Sequence, residues 1–139
     1  MPRLSRYFIK AGLLYLVAAF LLGFLVAARP ALSLPVWLSA FSPVLAHLFV
    51  VGWITQLIVG VAYWMFPKIS KDNPRGDERF GWLIFALLNM GLLLRLAFEP
   101  VMTVDPTQPF GWALVASGVC QLLAGWGIVI ALWPRVKLR

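Results

Sequence analysis

Residues 47–67 read HLFVVGWITQLIVGVAYWMFP. No charged side chain interrupts the stretch before its closing proline. At about 1.5 Å per residue it rises roughly 30 Å, the depth of a bilayer's hydrocarbon core. A run of this kind is a transmembrane helix, and Pro67 ends it because the residue before a proline is pushed out of the helical region. The helix carries the only histidine of the 139 residues. An imidazole among lipid tails is costly unless a partner satisfies it.

Three further apolar runs flank this one. Residues 7–28 form a first span closed by Arg29-Pro30, residues 80–98 a third with Pro100 beyond it, and residues 110–133 a fourth stopped by Pro134. With residues 44–66 as the second span, each run has about 19 to 24 residues, enough to cross. The intervening ALSLPVWLSAFSP is apolar but broken by Pro30, Pro35 and Pro43, and reads as a loop at the outer interface. KISKDNPRGDER is the only strongly polar interior segment. The expected fold is all-α: one four-helix transmembrane domain over residues 1–139, with no internal repeat. A basic head and Val26-Ala27-Ala28 resemble a secretory signal, but the apolar run is long for one, so a retained helix is expected.

Composition sets the same class. The chain is 62% apolar and 12% charged, with a mean hydropathy of +0.89. The net charge of +7 is not a nucleic-acid signature, because its distribution follows the membrane. Arg3, Arg6, Lys10, Lys68, Lys71, Arg75, Arg79, Arg135, Lys137 and Arg139 fall on one side of the four-span arrangement, and only Arg29 and Arg95 on the other. The positive-inside rule then places both termini in the cytoplasm (N-in/C-in), with position 73 inside and position 107 outside. Trp37 and Trp112 fall at the outer level and Trp64, Trp82 and Trp133 at the inner one, as an aromatic belt requires. Cys120, the sole cysteine, excludes an intrachain disulfide and a CxxCH haem attachment and reads as a packing residue.

At about 100° per residue, the second helix divides into two faces. His47 shares one with Val51, Ile54, Ile58 and Met65; Gly52, Gln56, Gly60 and Tyr63 form the other. Small residues let helices approach closely, and a glutamine can hydrogen-bond across the contact. Gly111, Gly118, Gln121 and Gly125 offer a matching ridge on the fourth helix. The expectation is that these two faces pack together, leaving the His47 face to a flat cofactor, a second subunit or lipid.

The 47–67 stretch resembles the tenth helix of subunit I in the haem–copper oxidase superfamily, especially its cbb-type oxidase and nitric oxide reductase branch. His47, Gly52, Trp53, Gly60, Tyr63, Trp64 and Pro67 stand at that family's spacing. The resemblance covers about 21 residues; the other helices correspond only in architecture. In the family a His-x-His pair stands here, its second histidine ligating a low-spin haem and its first a high-spin haem beside copper. His47 takes the second position and Leu45 stands at the first. No further histidine exists for copper, so no oxygen- or nitric-oxide-reducing centre forms on this chain alone.

The resemblance therefore implies haem b on His47, without copper, in a small protein of a prokaryotic cytoplasmic membrane serving electron transfer or sensing of O2 or NO. The alternative is a haem-free accessory or assembly subunit of a respiratory oxidase or nitric oxide reductase; a transporter is disfavoured by the lack of buried charge. The sixth ligand is open: His47 of a second copy in a homodimer, Met90 or Met102, a ligand from another subunit, or none. Arg95, at the depth of His47, is a candidate partner for a haem propionate, against an ion pair with Glu99 or snorkelling. Arg29 is a weaker candidate, more simply an interface anchor. Asn89, in the mid-membrane, must find a hydrogen-bond partner, by default on another helix. No Ser-His-Asp or paired-carboxylate arrangement can be assembled from helix interiors that lack Asp and Glu, so enzymatic activity is left open.

Overall fold

The computed structural model describes residues 1–70 and 75–136. Lys71, Asn73, Lys137 and Arg139 of the topological argument lie outside the described residues. Among those described there is no strand, and four helical segments are long and apolar enough to cross a membrane: Arg3–Ala28, Val36–Met65, Glu78–Val104 and Gly111–Arg135.

The first is a single helix, α1 (Arg3–Ala28). The second is composite. A 3-10 turn over Val36–Phe41 leads into α2 (Ser42–His47), an eight-residue π-helical segment (Leu48–Thr55) and then α3 (Gln56–Met65). Much of the expected interface loop is thus helical: Pro35 precedes the 3-10 turn and Pro43 sits in the first turn of α2, where a missing N–H costs nothing. α4 (Glu78–Val104) is capped by Asp77, whose carboxylate accepts from the Arg79 amide at 2.9 Å. It runs through Pro100 rather than stopping before it, so Glu99 lies inside a helix, contrary to expectation. α5 (Gly111–Leu132) completes the fourth span, followed by a 3-10 turn at Trp133–Arg135.

Leu4 and Phe8 of α1, Val59 and Tyr63 of α3, Ile84 and Leu88 of α4 and Ala124 of α5 form the main buried cluster. A smaller one joins Ala19 of α1 to Val44 and Leu48 of the second span, with Leu96 of α4 against it. Elsewhere the helices present large apolar side chains outward: Leu14, Val17, Phe20 and Phe24 on α1, and Trp112, Trp126 and Ile130 on α5. Exposed apolar faces of this extent suit lipid as solvent.

The glycine ridges do not pack as expected. A Cβ at Gly52 would lie 2.8 Å from Cγ of Tyr15, and one at Gly60 3.0 Å from Phe8 and Ile9, so this ridge receives α1. Gly111, Gly118 and Gly125 have open space before them. α5 instead packs on α4 through a different glycine: a Cβ at Gly91 would lie 2.9 Å from the Ser117 carbonyl oxygen. Ser117 Oγ also donates to the Gly91 carbonyl at 2.6 Å. Sequential helices joined by a short link are natural antiparallel neighbours, and that tendency sets the pairing here.

Candidate functional site

His47 is the last residue of α2, where i→i+4 hydrogen bonding gives way to the wider π turn. Its Nδ1 faces the carbonyl oxygen of Pro43, one turn back, at 3.4 Å. That contact is long for a hydrogen bond but fixes the direction of the ring. Nδ1–H toward the carbonyl leaves Nε2 as the lone-pair nitrogen, and no described residue bonds it. A ligating histidine commonly has this arrangement, one ring N–H held by a backbone oxygen and the other nitrogen free for a metal. The ring is half-buried.

The π segment changes which residues share the histidine's face. A turn that closes at i+5 advances each residue by less than 100°, so positions beyond His47 lag behind an α-helical wheel. Val51, expected beside His47, is half-buried against the main core cluster. Phe49 and Val50 point outward instead, together with Ala46 and Pro43. The Phe49 and Trp53 rings meet edge to face at 4.8 Å. Trp53 Nε1 is sealed from its surroundings with no acceptor, an unsatisfied donor within the turn that follows the histidine.

Arg95 lies next to Leu96, which packs on Val44 and Leu48, so this turn of α4 is at the depth of His47. Its guanidinium is engaged: Nη1 meets Glu99 Oε1 at 2.8 Å, with both side chains largely buried. Arg95 Nε and Glu99 Oε2 are buried without a partner. Met90 is exposed, and Met102 borders a cleft with Trp112 and Val115. Neither joins the cluster around Val44 and Leu48.

Asn89 has the interhelical partner expected of it. Gln56, fully buried, donates from Nε2 to Asn89 Oδ1 at 3.2 Å, and Asn89 Nδ2 donates to Gln56 Oε1 at 3.4 Å. Asn89 Nδ2 also donates to the Phe85 carbonyl at 2.8 Å. Gln56 thus reaches α4, not the fourth span.

The residue that sequence reasoning missed is Arg135. Taken as one more positive charge at the membrane edge, it is 1% exposed. Nε donates to the Pro67 carbonyl at 3.0 Å, and Nη2 to the carbonyls of Phe66 at 2.7 Å and Tyr63 at 3.2 Å. The guanidinium also lies 5.6 Å from the centre of the Tyr63 ring. It satisfies the open carbonyls at the end of α3 and places a cation on the negative end of the helix dipole. Its signal, an arginine just past a helix stop, is ordinary; its partners are 68 to 72 positions away.

No family model, curated protein or solved structure matches this chain.

Proposed function

We propose that this chain spans a prokaryotic cytoplasmic membrane four times with both termini inside, and binds haem b through His47 Nε2. The observation that carries the reading is the imidazole: Nδ1 turned to the Pro43 carbonyl, Nε2 free, on the outward side of the second span. The Arg95 guanidinium at the same depth, its side chain 19% exposed, has N–H groups beyond the one that holds Glu99 and suits a propionate without dissolving that pair. Bound haem would supply one-electron redox chemistry or a site for O2 or NO. The chain's own part is to hold the imidazole's tautomer and present a dry apolar face.

His47 is half-buried beside the exposed Pro43, Ala46, Phe49 and Val50, so a second surface would complete the cover of the haem. A homodimer or a respiratory-complex partner meets that need. The single imidazole, which leaves the other axial position to a group outside the chain, also leaves room for a second reading, a haem-free accessory or assembly subunit of a respiratory oxidase or nitric oxide reductase. The visible spectrum of the detergent-purified protein decides between them. A sharp Soret band with reduced α and β bands, lost in His47→Ala while the helical circular dichroism persists, is the expected result. A full haem spectrum in that variant removes the ligand assignment, and a featureless wild-type spectrum selects the accessory reading.

A further inference from the structure

At the end of the bundle that carries both termini, a cleft of about 710 Å³ opens between the start of α1, the end of α3 and the approach to α4. Arg3, Tyr63, Arg75, Asp77 and Glu78 line it. The charges around it are not paired off. Among the described residues the one ion pair is Arg95–Glu99, so two guanidiniums and two carboxylates face one space without neutralising each other. Asp77 is held by its capping bond to the Arg79 amide. Arg75 Nε is sealed from solvent and has no acceptor. Behind the Tyr63 wall lies Arg135, whose Nη1 is likewise buried and unpaired.

A second cleft, of about 180 Å³, shares Tyr63, Arg75 and Asp77 with the first. It leads between the start of α4 and the end of α5, where Ile69, Phe80 and Ile130 line it. An apolar slot thus lies against the charged chamber, across the shared Tyr63, Arg75 and Asp77, beside the start of α4 and the end of α5.

From this geometry we infer a bound aminophospholipid. Its phosphate meets Arg3 and Arg75, its ammonium meets Glu78 and the free side of Asp77, and the start of one acyl chain enters the slot. Phosphatidylglycerol, whose only charge is its phosphate, brings no cation to the two carboxylates. A choline headgroup cannot donate hydrogen bonds to them. Phosphoethanolamine alone offers the same pair of groups, a phosphate and an ammonium, and the apolar slot favours the lipid source. The inference rests on the membrane placement proposed above but not on haem.

The test uses the full chain reconstituted in vesicles of phosphatidylethanolamine, phosphatidylglycerol and phosphatidylcholine, re-extracted in mild detergent and weighed by native mass spectrometry. Retained phosphatidylethanolamine is expected above its share of the bilayer. Arg75→Gln lowers that retention about tenfold, as loss of a charge-assisted hydrogen bond implies. Glu78→Gln, which leaves the Asp77 cap in place, shifts retention toward phosphatidylglycerol. Preference for phosphatidylglycerol in the wild type, retention at the bilayer ratio, or equal retention by Arg75→Gln overturns the proposal. Displacement by millimolar soluble phosphoethanolamine, with no loss to diacylglycerol, overturns the lipid source. Because the readout is mass, His47→Ala retains the lipid whether or not haem binds.

Discussion

Single side chains at the ends of this bundle carry more of its order than their types suggest. Arg135 is the clearest, since three carbonyls at the end of α3 depend on it. Arg135→Met removes this donor from all three, and a loss of about 2 kcal/mol is expected from removing charge-assisted bonds of this kind. Thermal unfolding in detergent measures it. Arg135→Lys restores only part, because an ammonium cannot reproduce the fork that reaches Pro67 and Phe66 together. Asp105, just past α4, is a gentler case. Hydrogen bonds from the Thr107 hydroxyl at 2.6 Å and the Gln108 amide at 2.7 Å, then from the Thr107 backbone amide at 3.0 Å, hold its carboxyl below the ordinary value. A depressed carboxylate contributes stability above its unfolded pKa, near 3.9, and that contribution fades as pH falls through the folded value. Thr107→Ala is expected to raise the Asp105 midpoint toward the ordinary value, read by the pH dependence of its carboxyl resonance. An unchanged midpoint would remove the turn as the cause.

Between elements, contacts are made by small and polar residues that the sequence announces without naming their partners. Gly91 lets the backbone of α4 approach Ser117 of α5, so Gly91→Ala must push the helices apart, at a cost of about 1 to 3 kcal/mol. The Gln56–Asn89 pair behaves differently. Asn89→Leu strands the Gln56 amide, and Gln56→Leu leaves Asn89 only its bond to the Phe85 carbonyl, while replacing both strands neither, so the double variant is expected to lose less than the two single losses combined, by about 0.5 to 1.5 kcal/mol. Additive losses would mean that the two amides are not coupled. The four spans were legible because apolar runs of membrane length between prolines admit few alternatives, and Asn89 was legible as a bonding group because its depth demands a partner. The pairing of helices was not. Gly52, Gly60, Gly118 and Gly125 look alike on a wheel, and only the fold shows that the first two meet α1 while the last two meet nothing. The facing of Val51 was misread for a local reason: no residue type in LFVVGWIT marks a π turn, and a 100° wheel drawn through it is out of register beyond His47.

For the molecule as a whole, the decisive questions are which way it sits and what covers its histidine. In a Cys120→Ser background, Lys68→Cys should react with a membrane-impermeant maleimide only from the cytoplasmic side and Pro109→Cys only from the opposite side; the reverse pattern inverts the proposed topology. With that topology His47 lies toward the outer surface, half-exposed, ringed by the outward Pro43, Ala46, Phe49 and Val50. With one imidazole per chain, this protein by itself can form a bis-histidine haem only across two copies, and a two-fold axis past this face brings the same patch against itself. The competing surface is the outward ridge of α5, where Gly118 and Gly125 stand free beside Val119, Leu122 and Trp126. The two arrangements separate at single positions. Val50→Cys is exposed beside the histidine, Val51→Cys is turned to the core, and Val119→Cys marks the α5 ridge. The expected result is a disulfide-linked dimer from Val50→Cys, little from Val51→Cys or Val119→Cys, and a weaker Val50 crosslink when His47→Ala removes the shared ligand. A dimer trapped only through Val119 leaves the two histidines on lipid-facing sides far apart. The shared-haem arrangement would then be wrong, and a partner subunit rather than a second copy would have to supply the surface over His47.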